Sequence, residues 1–339
     1  LPEQGDSESA LGFKILGHIL LGSPAAPLRK ALIESGLGED LAGIGLEDEM
    51  RQMYFSTGLK GIEKDDTDKV ATLIEETFAN LATDGIDKDT VSASMNTVEF
   101  RLRENNTGGF PRGVSAALRA LQFWLYDYDP IAPLAFEAPL NAIKARLAED
   151  EKYFEGLIQS HFLENKHKTR VLLVPDTELN QRDKISEKEK LASIQKEMSA
   201  EKIEEVIRTT KELIEIQNTP DTPENLATLP ALKLEDLDKQ NKRIPISEER
   251  INGVTVLHHD LATNGILYFS TGFDLHALPE DLLPYTTLFG RALLEMGTKS
   301  EGFVALSQRI GRDTGGIYPS VFTSTIWESN ESAAYLFLH

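Results

Sequence analysis

The 339-residue chain contains no cysteine. This excludes disulfides, iron–sulfur clusters, thiolate zinc sites and a cysteine nucleophile, and it is compatible with a reducing compartment. Positive charge is also short: 35 Lys and Arg stand against 55 Asp and Glu, a formal charge of −20. Phosphate backbones and anionic lipid need a cationic surface, so neither nucleic acid nor membrane is expected as a partner, whereas basic peptides are electrostatically compatible. No run approaches the ~18 apolar residues of a membrane span. Leu1-Pro2-Glu3-Gln4-Gly5-Asp6 has no basic region or apolar stretch of a secretory leader, and no initiator methionine. The end, Tyr335-Leu336-Phe337-Leu338-His339, stops inside what reads as a strand. The expectation is a non-secreted internal fragment of a longer protein.

A further absence is local. Residues 176–240 hold no aromatic residue and no glycine and are dense in Glu and Lys. Such a segment cannot fill a core. Ser186-x-x-Glu189 is a capping-box signature, and Ser199 can cap a second helix with Ile203, Val206, Ile207 and Ile214 in one stripe. Glu204 and Arg208 are spaced to pair one turn apart, and Thr219-Pro220 ends the pattern. The segment is predicted to be a helical hairpin and an extended strap linking two globular parts.

What is there on either side reads as α+β. In residues 1–175, an apolar helix over Leu11 to Leu21 precedes a Gly22-Ser23-Pro24 break and a helix through Leu28, Leu32 and Ile33. Residues 50–62 read as a strand. Val70, Leu73, Ile74, Phe78 and Leu81 recur at helical spacing before Gly85. Val91, Met95, Val98 and Leu102 mark a helix entered at Asp87, and Val114, Leu118, Leu121 and Leu125 another, ended by Pro130. Two further helices lead to an apolar strand at 170–174. Beyond residue 251, Val254 to His258 and Ile266 to Phe273 are predicted to pair around Ala262-Thr263-Asn264-Gly265. Helices over 280–296 and 303–310 and a glycine-marked strand follow. The predicted architecture is two related α/β sandwich-type domains, 1–175 and a truncated 241–339, joined by the hairpin linker 176–240.

Internal similarity supports the pairing. Residues 10–38 align without a gap on 285–313, placing Gly22 on Gly297, Ser23 on Thr298, Leu28 on Phe303 and Gly36 on Gly311. Four matches in one element order indicate a duplicated unit, with the glycines expected to end helices at positive φ.

Candidate chemistry is thin. A zinc peptidase needs two imidazoles on one helical face, a third ligand and a carboxylate base. The seven histidines, His18, His161, His167, His258, His259, His276 and His339, form no His-x-x-x-His. His161-Phe162-Leu163-Glu164-Asn165 approaches His-x-x-Glu-His, but Asn165 replaces the second ligand. His258 and His259 are adjacent and point to opposite faces of a strand. Gly113-Val114-Ser115-Ala116-Ala117 lacks the last glycine of a nucleophile elbow, and Ser23-Pro24 stands where a phosphate loop needs Lys-Ser/Thr. No catalytic and no metal-binding residue is expected. The polar run Arg103 to Gly113 is the one candidate binding loop: Asn105, Asn106 and Arg112 can offer donors and acceptors to a peptide, and loop and capping chemistry explains the same residues.

Several strings resemble the presequence proteases, a zinc-dependent oligopeptidase group that includes falcilysin. They are Gly22 to Lys30, Ser35-Gly36-Leu37-Gly38-Glu39, Gly58-Leu59-Lys60-Gly61, Met95-Asn96-Thr97-Val98-Glu99-Phe100, Glu104 to Gly113, Asn252-Gly253-Val254, Leu294 to Lys299 and Thr314-Gly315-Gly316. The resemblance implies four similar α/β domains in two halves, joined by a helical hinge and closing round unfolded peptides. This chain would then be most of the second domain, the hinge and the start of the third. It would serve as cavity wall and hinge, inactive alone, with the parent's other domains and unfolded peptides as partners. The zinc motif of the family lies in the first domain. At the corresponding place in the third, Leu288-Phe289-Gly290-Arg291-Ala292 carries no ligand, so zinc is expected in the parent and not in this chain. The same resemblance implies a cytoplasmic location in a bacterium and an organellar matrix in a eukaryote. The alternative is a non-catalytic scaffold or assembly module of the same clan.

Overall fold

Asp6 begins the first helix, α1 (Ser7–Leu21), by accepting the Ser9 N–H at 3.2 Å. Leu11, Phe13, Ile15, Leu16, Ile19 and Leu20 are all buried, so α1 presents apolar side chains around most of its circumference. A helix of that kind must be surrounded. The computed structural model describes residues 1–240 and 243–339 and shows what surrounds it. Pro27 opens α2 (Pro27–Glu34), which places Leu28 and Leu32 in the same core. Two antiparallel strands follow, β1 (Asp40–Glu47) and β2 (Tyr54–Lys60), with an irregularity between Ala42 and Gly45 where Gly43 and Gly45 take positive φ. Then come α3 (Thr67–Asp84), α4 (Lys88–Glu104), α5 (Arg112–Trp124), α6 (Glu137–Glu149) and α7 (Tyr153–Ile158). Against α1 pack α2, α4, α6 and β1. Phe13, Phe55 and Phe78 ring Phe162, the last two with centroids 5.0 and 4.9 Å from it.

The chain divides into two compact units, Leu1–His167 with Ala262–His339, and Lys168–Leu261. The second contains α8 (Leu179–Glu197), α9 (Ala200–Asn218), α10 (Pro223–Leu226) and a ribbon of β3 (Ser247–Ile251) with β4 (Val254–His258). Neither α8 nor α9 buries a residue. The first unit resumes with β5 (Thr271–Asp274), α11 (Thr286–Glu295), α12 (Phe303–Asp313), β6 (Pro319–Thr325) and β7 (Ser332–Leu338), the strands ordered β5-β7-β6. Every ladder is antiparallel and helices predominate, an α+β fold. Helix, break, helix and antiparallel hairpin occur in the same order in α1-α2-β1-β2 and in α11-α12-β6-β7, as the internal similarity implies.

Several local expectations are corrected. The strand predicted at 50–62 is shorter and is preceded by β1, whose glycines obscure the apolar pattern. The run 170–174 forms no strand, because a short apolar run needs another strand beside it and none lies along 171–174 among the described residues; Val171 and Leu173 are 76% and 90% exposed. Ser186 lies inside α8, which starts after Glu178, so its capping box is not used; Ser199 does cap α9, accepting the Lys202 N–H. Arg208 pairs forward with Glu212 at 2.8 Å rather than back with Glu204. The helices predicted as a hairpin form, but no packed seam joins them among the described residues. β4 pairs with β3 round Asn252-Gly253, both at positive φ, while Ile266 to Phe273 contributes only β5, paired with β7. Of the four glycines aligned in the repeat, only Gly36 takes positive φ. Gly22 has φ −74°, and Gly311 sits inside α12. The domain boundary expected at residue 241 lies outside the described residues.

His18 is mostly buried on α1, with Nδ1 3.0 Å from the Ser94 hydroxyl of α4. Burial, helped by the nearby Arg101 charge, lowers its pKa to about 4. The folded state therefore favours neutral imidazole. Stability from this group is complete above the unfolded value near 6.5 and is lost as pH falls towards 4, by on the order of 3 kcal/mol at the acid end. Melting temperatures measured from pH 7.5 to 4.5 are expected to fall more steeply for the wild type than for His18→Gln. Parallel slopes would contradict this.

Candidate functional site

The loop between α4 and α5 is built from its own backbone needs. Asn105 closes α4 in the left-handed conformation, φ 45° and ψ 45°, with its N–H on the Arg101 carbonyl. Asparagine is among the few residues besides glycine that tolerate this cap. Its Oδ1 accepts from Arg119 Nη2 on α5 at 3.3 Å, tying the two helices across the loop. Asn106 Oδ1 accepts the Gly108 N–H at 2.9 Å, and Gly108 has φ +59°. Thr107 then clasps Phe110 twice: its hydroxyl donates to the Phe110 carbonyl and its carbonyl accepts the Phe110 N–H. Pro111 leads into α5 with Arg112 as its first residue. Before the loop, Arg103 is held by Glu99 at 2.8 Å and lies over the Phe136 ring, while Glu104 accepts from the Tyr268 hydroxyl at 3.0 Å.

The structure thus places all three sequence-predicted residues on one surface loop. The side-chain carbonyls of Asn105 and Asn106 are already used within the protein. Asn106 and Arg112 are exposed, Asn105 half-buried. Beside them α5 turns an apolar stripe outward: Val114, Leu118 and Leu121 are 42–49% exposed, and the one residue the helix buries is Phe123. The 114/118/121/125 periodicity therefore marks a helix, as expected, but its apolar side is not covered among the described residues. Sequence reasoning did not anticipate the Arg119 contact. The spacing of one residue near the helix start and another at the preceding cap offered no separate signal.

The imidazoles do not converge. Among the described residues no three His, Asp or Glu side chains group so as to hold a metal ion. His161 lies in the turn Gln159–Leu163 with its ring edge-on to Phe13 at 5.0 Å, and burial lowers its pKa. Glu164 Oε1 accepts from Gln159 at 2.8 Å, and Asn165 Oδ1 accepts the His167 N–H. His259 Nδ1 is 2.7 Å from the Pro245 carbonyl, and His339 stands between the Ser270 and Ser320 hydroxyls. In the second copy of the repeat, Gly290 packs closely on Pro319, while Leu288 and Phe289 are exposed. None of these places fits a tetrahedral zinc.

One constellation has the distances of a hydrolytic triad. His276 Nδ1 is 2.7 Å from Asp274 Oδ1, and its Nε2 is 3.2 Å from Ser332 Oγ. All three residues are exposed, so a developing charge would meet bulk water rather than preorganised donors in a dry site. The geometry joins the end of β5 to the start of β7. Its role is structural.

Comparison with known proteins gives two family matches. Residues 1–98 match the family described as Peptidase M16 inactive domain, and residues 173–338 match the associated domain of subfamily C of the same M16 peptidases. The chain is 46% identical over 327 residues to presequence protease 1, chloroplastic/mitochondrial, of Arabidopsis thaliana, covering 96% of this chain and 30% of that protein. It is 37% identical to protein HypA of Clostridium perfringens, over 98% of this chain and 34% of the relative. With the mitochondrial presequence protease of Xenopus laevis it shares 29% identity, over 94% of this chain and 30% of the relative. The chain spans about a third of the length of these curated relatives. It belongs to subfamily C of the M16 peptidase family.

Proposed function

We propose that this chain is a non-catalytic part of a zinc-dependent oligopeptidase, supplying wall and hinge to a chamber in which unfolded peptides are cut by residues outside it. The observation that carries the reading is the match along almost the whole chain to proteins named presequence proteases, with its first 98 residues matching an inactive domain. The lack of fit to zinc supports the division of labour. Residues 1–175 and 241–339 act as two copies of one α/β unit, and 176–240, with no buried residue in α8 or α9, acts as the hinge between them. The partners are unfolded peptides and the remaining domains of such a peptidase. The relatives' names favour this over a scaffold role. Those named for the chloroplast and mitochondrion support an organellar matrix location in a eukaryotic host, with the cytoplasm as the bacterial counterpart.

The site within this stretch is the Asn105–Arg112 loop with the open face of α5. The exposed amide of Asn106 and the guanidinium of Arg112 can bond peptide backbone without reading sequence, and Val114, Leu118 and Leu121 can take apolar side chains.

Two measurements test these statements. After extensive dialysis the chain should hold only substoichiometric zinc and leave an unstructured peptide uncut; one tightly bound zinc per chain would overturn the non-catalytic assignment. Asn106→Ala removes the acceptor of the Gly108 N–H and should cost on the order of 1 kcal/mol in a thermal melt. If the loop also contacts peptide, the variant should weaken binding of a labelled unfolded peptide in an anisotropy titration. Unchanged affinity would leave the loop a purely structural cap.

A further inference from the structure

Two of the strings that carry the family resemblance, Met95 to Phe100 and Thr314 to Gly316, come together in the fold. Asn96 on α4 donates through Nδ2 to the carbonyls of Gly311 and Thr314, both at 2.8 Å and the latter 218 residues away in sequence. These are carbonyls of the last turn of α12, which the helix itself leaves without partners. One turn earlier, Gln308 Nε2 donates to Asp87 Oδ1 at 2.9 Å and Thr90 Oγ1 at 2.8 Å. Arg312 reaches Asp89 at 2.7 Å. Close approach is set by small residues. A Cβ on Gly311 would stand 3.1 Å from that of Ala93, and any side chain on Gly315 would overlap the Phe100 ring.

What is missing from this contact is a shared apolar core. The hydrophobic cluster of the first unit, with the side chains packed against it, ends at residue 163. Residues 262–339 bury their own few apolar side chains, Leu275, Leu306 and Leu336. α12 therefore meets α4 through hydrogen bonds, an ion pair and glycine. Each of those hydrogen bonds can be exchanged for one to water at small net cost, so the contact is tightly shaped and weakly held. Residues 168–261 run between the two sides and keep the chain joined if they part.

We infer that the α4–α12 contact is a reversible clasp, from which residues 262–339 release and re-dock as a body while residues 1–163 stay folded. The inference goes beyond the hinge proposed above by naming the contact that opens, and only its purpose rests on that reading. Asn96 is the pin, Gly311 and Gly315 are the seats, and Gln308 and Arg312 set the register.

The absence of native cysteine makes the test clean. The double variant Ala93→Cys with Gly311→Cys has its only two thiols at the seat of the clasp, within a few tenths of an ångström of disulfide spacing. Mild oxidation of the full chain should give an intramolecular disulfide. In the wild type, amide hydrogens of α12 should exchange at least about tenfold faster than those of α1, and the disulfide should slow α12 by at least about tenfold without affecting α1. Asn96→Ala should speed α12 exchange by roughly tenfold with α1 unchanged, which tests the pin even if the cysteine variant folds poorly. Exchange of α12 and α1 in step in the wild type, or no effect of Asn96→Ala, would overturn the inference; so would failure of the folded double variant to form the disulfide. None of these readouts uses peptide cleavage or zinc, so they fail separately from the peptidase reading.

Discussion

A helix that is apolar on most of its sides cannot lie on a surface, and α1 is such a helix. Enclosing it dictates the placement of α2, α4, α6 and β1. α4 is the most consequential of these. Its Ser94, Met95 and Val98 face inward, with Ser94 on His18 of α1, which fixes its position and rotation. The rest of α4 is then committed. Its end delivers Asn105 into the left-handed cap that starts the candidate loop, and its remaining side, with Ala93, Asn96 and Phe100, is presented to α12. The candidate loop and the clasp are thus two outputs of one buried helix–helix contact.

Elements whose character is set by side chains close in sequence were legible. Asp87 and Gly85 marked the helix ends around α4, Ser199 the start of α9, and the all-round apolar run the core helix. Where pairing is decided by distant residues, the reading failed. Val254 to His258 is a plausible partner for either neighbour, and the Asn252-Gly253 turn settles the matter because both residues adopt the left-handed twist a tight hairpin needs. Asn264 and Gly265 also take positive φ, yet the turn they make closes no hairpin, so the dipeptide specifies the turn and not the ladder. The run 170–174 shows the same limit: strand propensity describes a side-chain surface, while a strand exists only with a neighbour.

The candidate site was legible in location and not in wiring. Two asparagines before two glycines signal a loop with special backbone angles, and the structure has them at Asn105 and Gly108. The Arg119 contact, like the bond from Asn96 to the end of α12, joins residues with no common periodicity. Such contacts leave no trace in composition or spacing. The internal repeat was informative about element order but not about glycine: Gly36 is chosen for its φ, while its counterpart Gly311 is chosen for the absence of a side chain where two helices touch.

The outward apolar stripe of α5 and the exposed run 171–174 also bear on how separate molecules behave towards one another. Bare apolar patches of this kind attract their equals in neighbouring copies, and the net charge of −20 opposes that approach. The opposition reaches only as far as the ionic atmosphere allows, roughly 8 Å at physiological ionic strength and about 3 Å at 1 M salt. Colloidal behaviour is therefore governed by salt: dilute buffer keeps copies dispersed, and concentrated salt hands the balance to the uncovered apolar surface.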